Sequence, residues 1–217
     1  MNAEVNLNEF PLVLELSKSR LDLTLYQKYI AHRRELFSVD YDKGKTEEII
    51  YLSPKEVFDE GVFHFRNLKK GGFCTLYTGT EFWDVQSLYM KEARKAAKRT
   101  KNFTRVYLIE EIKDLNRTGL IEQIKLDIES DTKVYFCLLK DVINIIPETD
   151  FGIWDDEYIC LVRFDKKNKA NEVILNSRKT DINKAQKWQT LILNKAIRIN
   201  NLEAINSFIK KIQLKHI

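Results

Sequence analysis

Three short runs of β-branched and aromatic residues, separated by stretches with helical periodicity, constrain the fold of this chain more than any other feature. The runs lie at 73–77, 105–109 and 133–139. Helices are predicted between them at 83–100 and 115–128, because apolar residues recur there every three or four positions. Strands that alternate with helices in this way are typical of βαβ crossovers. The pattern therefore predicts an α/β domain with a mainly parallel sheet and flanking helices.

The regions on either side of these runs add further helices and an antiparallel hairpin. The remaining predicted elements are a helix at 12–39, a strand at 48–52, a helix capped by Ser53 with Pro54 at its first position, a hairpin at 151–164, a strand at 172–175, and two helices that begin at Thr180 and Leu202. We divide the chain at residue 70. Residues 1–70 are expected to form a helical and extended segment packed on the main domain, and residues 71–217 the α/β domain with its C-terminal helices.

Composition excludes several classes of protein. With 217 residues, of which 44% are hydrophobic, the chain is not disordered throughout, and a net charge of +4 does not by itself indicate a nucleic-acid binder. No basic segment precedes an apolar run near the N-terminus and no run approaches ~20 apolar residues, so neither a secretory signal nor a membrane span is predicted. Cys74, Cys137 and Cys160 lie in apolar runs without zinc spacing, which favours buried reduced thiols in the cytoplasm. No motif indicates a cofactor.

A cluster of basic residues in the predicted helix at 83–100 is the strongest candidate for a binding surface. Its members are Lys91, Arg94, Lys95, Lys98 and Arg99, with Lys101 and Arg105 just beyond. Residues three and four positions apart share one face of a helix. Such a face is able to lie along a phosphodiester backbone, where cations displace counterions. The alternative is a solvated face whose basic residues are favoured by the helix dipole.

A second candidate is the junction that follows the first strand of the α/β region. Thr78 and Thr80 flank Gly79 there, between a predicted strand and a predicted helix. Backbone amides at a helix N-terminus are able to hold a phosphate. The chain has no glycine-rich phosphate motif, so simple capping by the threonines is the alternative.

A third candidate is the acidic turn of the predicted hairpin. Asp155, Asp156 and Glu157 form this turn, with Glu148 and Asp150 nearby. Clustered carboxylates bind divalent metals or act as acid and base, although aspartates are also common in turns. The cluster leaves open a metal-dependent hydrolase or nuclease-like toxin or effector, with or without His64 from the aromatic run 63–65.

The order of segments over roughly 71–200 resembles one half of the phospholipase D-like fold. The resemblance rests on the strand ending in Tyr77-Thr78-Gly79-Thr80, the helix at 89–93, the strands at 105–109 and 133–136, and the run 150–156 with its paired strand. It implies a mixed sheet with helices on its faces.

That family's catalytic signature is H-x-K-x-x-x-x-D, in which the histidine attacks phosphorus, the lysine steadies the phosphate and the aspartate orients the site. If Asp155 matches the aspartate, then Asp150 stands at the lysine and Glu148 at the histidine. A carboxylate cannot replace the nitrogen nucleophile and repels a phosphate. The resemblance therefore implies that the fold is kept and hydrolysis is lost, with no catalytic residue remaining.

The first hypothesis is a non-catalytic binding or sensor protein. Its basic helix would contact nucleic acid, a nucleotide or an anionic protein. A further hypothesis is a homodimer assembled through the C-terminal helices, by way of Phe208, Ile209 and Ile212.

Overall fold

The computed structural model describes residues 23–37, 48–53, 55–79, 84–165 and 170–214. The chain divides into two compact units, Met1–Lys45 and Thr46–Ile217. In the first unit, helix α1 (Leu25–Phe37) begins with a reciprocal cap. The Thr24 N–H donates to Gln27 Oε1 (3.0 Å), and the Gln27 N–H donates to Thr24 Oγ1 (3.2 Å). The rest of the helix predicted at 12–39 lies outside the described residues.

The strands of the second unit form one sheet. Its strands are β1 (Ile49–Leu52), β2 (Gly72–Tyr77), β3 (Phe103–Ile109), β4 (Lys133–Leu138), β5 (Asp150–Trp154), β6 (Tyr158–Phe164), β7 (Ala170–Asn176) and β8 (Ile197–Arg198). Within the described residues the sheet has eight strands in the order β1-β7-β6-β5-β2-β3-β4-β8. The three predicted strands of the α/β region and the hairpin are therefore confirmed.

The sheet is mixed, as expected, but it is not mainly parallel. Among the described strands, only the pairings β2–β3 and β3–β4 are parallel, and the other five are antiparallel. The reason is the return of the chain after β4. From there a short turn joins β5 to β6, and only five residues separate β6 from β7; connections this short allow only antiparallel neighbours.

Five helices accompany this sheet in the described part of the second unit. They are α2 (Glu56–Asn67), α3 (Leu88–Thr100), α4 (Thr118–Ile128), α5 (Lys179–Lys195) and α6 (Leu202–Leu214). Short 3-10 helices lie at Ile112–Asn116 and Leu139–Asp141. Together they confirm the expected alternation of strands and helices.

Two helix starts differ from the sequence prediction. Helix α3 begins at Leu88 and not near residue 83, because the Ser87 side chain accepts the Met90 N–H at 3.3 Å and caps the first turn there. Helix α2 begins at Glu56 with Lys55 at the N-cap position. Ser53 contributes through its backbone: its N–H donates to Glu56 Oε2 (2.8 Å) and its carbonyl accepts the Glu56 N–H (3.0 Å).

Each face of the sheet has its own hydrophobic core. On one face, Val106, Leu108 and Phe151 pack with Ile182 and Ile192 of α5. On the other face, apolar residues of β3 and β4 pack with α4 and α6; examples are Tyr107, Phe136, Ile124, Phe208 and Ile212. Successive strand residues point to opposite faces, so Arg105 shares the second face with Tyr107.

The apolar side of α6 packs against the sheet of the same chain. Phe208 and Ile212 are buried, and the Phe208 ring lies 5.2 Å from the Phe136 ring in an edge-on contact. Ile209 is partly buried against the same core. The hypothesis that these three residues pair with a second copy is therefore corrected, since the sheet of the same chain already covers them.

The compact unit begins before the division drawn from the sequence. Strand β1 pairs with β7 at the sheet edge, and α2 packs on α3 through the Phe65 and Tyr89 rings, whose centroids lie 5.0 Å apart. Residues 46–70 therefore belong to the same unit as the rest of the sheet. No helix in the described ranges combines the length and the apolar character that a bilayer span requires.

Candidate functional site

Helix α3 presents a line of exposed lysines. Lys91, Lys95 and Lys98 lie on its solvent side, and Lys101 occupies the C-cap position. Lys101 adopts a left-handed conformation (φ 53°), and its N–H donates to the Ala97 carbonyl at 2.9 Å. The opposite side of the helix is made of small buried residues, Ala93, Ala96 and Ala97. We call Lys91, Lys95, Lys98 and Lys101 the lysine row.

One buried carboxylate lies beside this row. Glu92 accepts a hydrogen bond from Lys95 Nζ (2.9 Å), and its other oxygen lies 3.5 Å from Arg66 Nε. The bond from Lys95 lowers the pKa of Glu92, with a further contribution from Arg66. Two cations thus share one carboxylate, so the surface keeps an excess of positive charge.

The two arginines of the predicted cluster hold the helix in place. Arg94 Nη2 donates to the Val85 carbonyl at 2.8 Å. Arg99 Nη2 donates to the carbonyls of Phe65 (2.6 Å) and Leu68 (3.1 Å) at the C-terminal end of α2. Carbonyls at a helix end lack partners inside the helix, and Arg99 supplies one. Both arginines therefore position α3, and Arg99 is also exposed beside the lysines.

Arg105 is not part of that surface, which corrects the sequence prediction. It is only 2% exposed, and its Nη1 donates to Asp127 Oδ2 at 2.6 Å. Asp127 also accepts from the Tyr107 hydroxyl (2.7 Å) and from Gln123 Nε2 (2.7 Å). The alternation of side chains along β3 turns Arg105 toward the covered face, where the aspartate of α4 balances its charge.

In the junction after β2, the structure describes Thr78 and Gly79, and the Thr78 side chain faces the interior. The Thr78 side chain is fully buried, and its Oγ1 lies 2.9 Å from Asp114 Oδ2 and 3.0 Å from the Leu108 carbonyl oxygen. Arg117 donates to the Thr78 carbonyl. Thr78 is thus engaged by its own chain, and the helix that it was expected to cap starts at Leu88. Thr80 lies outside the described residues.

Glu148, at the position of the family's nucleophile, is held in a network of ion pairs. Arg163 of β6 donates to Glu148 Oε1 through Nη2 (2.8 Å) and Nε (3.1 Å), and through Nη1 to Glu172 of β7 (2.7 Å). The arrangement places a guanidinium between two carboxylates. It contains no nitrogen nucleophile.

Asp150, at the position of the family's lysine, is the first residue of β5. Burial raises the pKa of its carboxyl to about 7, against the lowering effects of the Tyr77 backbone N–H and of Arg105. This side chain is neutral or negative near neutral pH. It is therefore unable to neutralise a phosphate as a lysine would.

Asp155 organises the turn between β5 and β6. Its carboxylate accepts three backbone N–H groups, from Lys69 (2.9 Å), Lys70 (2.7 Å) and Gly71 (3.0 Å). In return the Asp155 N–H donates to the Gly71 carbonyl at 3.0 Å. Gly71 has φ 120°, a conformation that side chains disfavour. Asp155 therefore joins the turn before β2 to the turn after β5.

The acidic turn is not gathered into a metal site. Asp155 is engaged as described, and Asp156 Oδ1 accepts from Gln186 Nε2 at 3.0 Å. Within the described ranges, no group of three or more His, Cys, Asp or Glu side chains is placed to hold a metal ion. The metal-dependent hydrolase consequently finds no support in the geometry of this turn. The cysteines Cys74, Cys137 and Cys160 are buried and free.

His64 of α2 was named in the sequence analysis, but the buried carboxylate of Glu60 beside it was missed. His64 Nδ1 lies 2.8 Å from Glu60 Oε1, and the Tyr158 hydroxyl donates to the same oxygen at 2.5 Å. The His64 ring stacks on Trp154, with centroids 4.1 Å apart. The run Phe63-His64-Phe65 was the only signal, and nothing in the sequence links it to residues of the distant hairpin.

Comparison with solved structures identifies the architecture. NucT from Helicobacter pylori aligns with a TM-score of 0.52 and 13% identity, over 70% of this chain and 98% of that chain. Nuc from Salmonella typhimurium, a phospholipase D family member, aligns with a TM-score of 0.52 and 15% identity, over 70% and 97%. The sequence matches no protein-family model and none of the curated proteins. At these identities the likeness concerns the fold, and it confirms that the chain has a phospholipase D-like α/β fold.

Proposed function

We propose that this protein is a non-catalytic phospholipase D-like binding protein that contacts the phosphodiester backbone of nucleic acid through its lysine row. The observation that carries the proposal is the row itself. It has four exposed ammonium groups on one helix, of which only Lys95 is bonded to a carboxylate among the described residues.

The geometry of the row suits a polyanion better than a single phosphate. From Lys91 to Lys101 the helix rises about 15 Å, at about 1.5 Å per residue. A duplex carries one charge per about 1.7 Å of its axis, so several phosphates lie within reach of such a row. Lysines act as flexible point charges and make no fixed two-pronged contacts. Binding should therefore depend little on base sequence and strongly on salt.

The non-catalytic part of the proposal is supported by the motif positions. Glu148 is bonded to Arg163, and Asp150 is a half-buried acid with a raised pKa. Covalent phosphoryl transfer needs an activated nucleophile and a group that stabilises the developing negative charge. Two carboxylates at these positions supply neither the imidazole nucleophile nor the cation on which the family's reaction depends.

The lysine row is tested by replacing all four of its lysines with alanine and measuring the anisotropy of a fluorescent 30-base-pair DNA. We expect wild-type affinity to fall about 10²-fold between 50 and 200 mM salt, as for three to four neutralised phosphates. The variant should lose this salt-dependent binding. A matched control replaces Lys179, Lys187, Lys210 and Lys211, which are exposed on α5 and α6, and should bind like wild type.

Equal loss of binding in the control would show a general charge effect and contradict the site. Wild-type protein that binds neither DNA nor RNA at 50 mM salt would refute nucleic-acid binding. Turnover of a labelled phosphodiester that a single substitution abolishes would refute the non-catalytic assignment.

A further inference from the structure

A cavity of about 180 Å³ lies between the sheet and helices α2 and α3. The lining residues that matter for the argument are Glu60, His64, Tyr89, Arg105, Asp150 and Trp154. All belong to the compact unit Thr46–Ile217, and the cavity is distinct from the lysine row, which lies on the solvent side of α3. A cavity of about 150 Å³ accepts benzene, so this one has room for a ring with a small substituent.

Gly152 helps to shape this cavity. A side chain there would begin 2.3 Å from the Trp154 ring, so only glycine allows the indole to lie across β5. Trp154 is held in turn by the stacked His64 ring, at an interplanar angle of 24°. Contacts between α2 and β5 thus form this wall of the cavity. A core packed without a cavity would not require them.

One wall presents an unpartnered buried polar atom. His64 is 1% exposed, and its Nε2 has no hydrogen-bond partner in the described part of the chain. Its other nitrogen, Nδ1, is bonded to Glu60 Oε1, an oxygen that also accepts from Tyr158. A buried polar atom without a partner is costly, and a ligand donor or acceptor would remove the cost.

The charges around the cavity are not balanced. Two carboxylates, Glu60 and Asp150, line it, whereas the charge of Arg105 is already paired with Asp127 at 2.6 Å. Burial raises the pKa of Asp150 to about 7, as expected for an acid without a cation of its own. A bound cation would supply the missing counter-charge.

The aromatic wall fits the same chemistry. Phe58, Tyr89 and Trp154 line the cavity, and aromatic faces attract ammonium groups. Two donors, Arg105 Nε and Trp154 Nε1, also lack partners among the described residues and would favour an acceptor on the ligand. The charge of the two carboxylates, Glu60 and Asp150, is greater than that of these two donors. The cavity therefore favours a cation.

We propose that this cavity is a binding site for a small organic cation, an amine attached to an aromatic or branched apolar group. Its ammonium group interacts with Glu60 and Asp150, and its apolar part lies against Tyr89 and Trp154. This site is independent of the nucleic-acid surface proposed above.

Three probes with the same ring and different charges test the proposal. Benzylamine is the cation, benzyl alcohol the neutral analogue and benzoate the anion. Each is titrated into the wild-type protein at neutral pH, with calorimetry for affinity and the Trp indole N–H resonances, assigned with a Trp154→Phe variant, for location. We expect benzylamine to bind and to shift the Trp154 resonance, with at least about tenfold weaker binding of the other two.

Variants then locate the charge that is recognised. Glu60→Gln and Asp150→Asn keep the side-chain size, and each should weaken benzylamine binding about tenfold. Glu203→Gln, a matched exposed control on α6, should leave it unchanged. If a variant fails to fold, the relative affinities of the wild-type protein for the three probes still show whether the cavity prefers a cation.

Equal or stronger binding of benzyl alcohol or benzoate, or no binding of benzylamine at millimolar concentration, would overturn the proposal. The quadruple lysine variant should retain benzylamine binding, so failure of the nucleic-acid proposal would not affect this result.

Discussion

Single residues with unusual surroundings determine most of the chemistry proposed for this protein. Asp155 and Asp150 lie on the same hairpin, five positions apart, yet their environments differ. Asp155 accepts three backbone N–H groups, which stabilise its charge. Asp150 is desolvated beside the cavity and holds its proton more tightly. The same residue type therefore acts as a structural hydrogen-bond acceptor at one position and as a titratable acid at the other.

Asp155→Ala should lower the free energy of unfolding by about 3 kcal/mol, because three backbone N–H groups, one buried and two partly buried, lose their acceptor. Both Asp155 (φ 51°) and Asp156 (φ 60°) have a positive φ, so the strain of an alanine is common to the two variants and does not affect their comparison. Urea unfolding measures the effect. Asp156→Ala, which removes an exposed aspartate of the same turn, should cost less than about 1 kcal/mol; equal costs would contradict the role given to Asp155.

The raised pKa of Asp150 predicts a pH dependence of stability. Below the ordinary value of 3.8 the carboxyl is protonated in both states, so it contributes no pH dependence there. Between 3.8 and about 7 the unfolded chain ionises first, so stability falls as pH rises, by on the order of 4 kcal/mol in total, and then levels off.

Asp150→Asn should remove this slope. The measurement is urea unfolding of both proteins from pH 4 to pH 8. The free energy of unfolding of the variant, relative to that of wild type, should increase as pH rises. A constant difference between the two proteins across this range would show that the acid titrates normally.

At the scale of elements, one buried ion pair connects β3 to α4. Arg105 and Asp127 are 2% and 1% exposed, and the Tyr107 hydroxyl shares the aspartate. Breaking such a pair leaves an uncompensated buried charge, whereas replacing both partners with apolar residues is often tolerated. The pair thus joins a strand to the helix packed on it without necessarily adding net stability.

Arg105→Met should destabilise the protein by about 3–5 kcal/mol, and the double variant Arg105→Met with Asp127→Leu should recover most of that loss. Thermal or urea unfolding of the two single variants and the double variant measures the coupling. If the losses of the single variants simply add in the double variant, the two charges do not interact as the structure indicates.

At the scale of the whole molecule, the phospholipase D-like sheet positions two separate surfaces. Helix α3 contributes to both, since its lysines face solvent while Tyr89 and Met90 line the cavity on the inner side. The positions that the sequence analysis matched to the catalytic signature lie on β5 and just before it, where Glu148 is held by Arg163. The architecture is retained, and function is assigned to sites carried on it.

Local patterns determined the strands at 73–77, 105–109 and 133–139, the hairpin that contains Asp155, and the spacing that places carboxylates at the motif positions. Each of these depends on neighbours within a few residues, so periodicity and turn chemistry suffice to predict them. Only the tertiary structure decided that most strand pairings are antiparallel, that Arg105 is buried against Asp127, and that Glu60, His64 and Trp154 border one cavity. Those outcomes depend on which distant segments come into contact and on which face of the sheet each side chain lies. The periodicity of neighbouring residues contains no information about either.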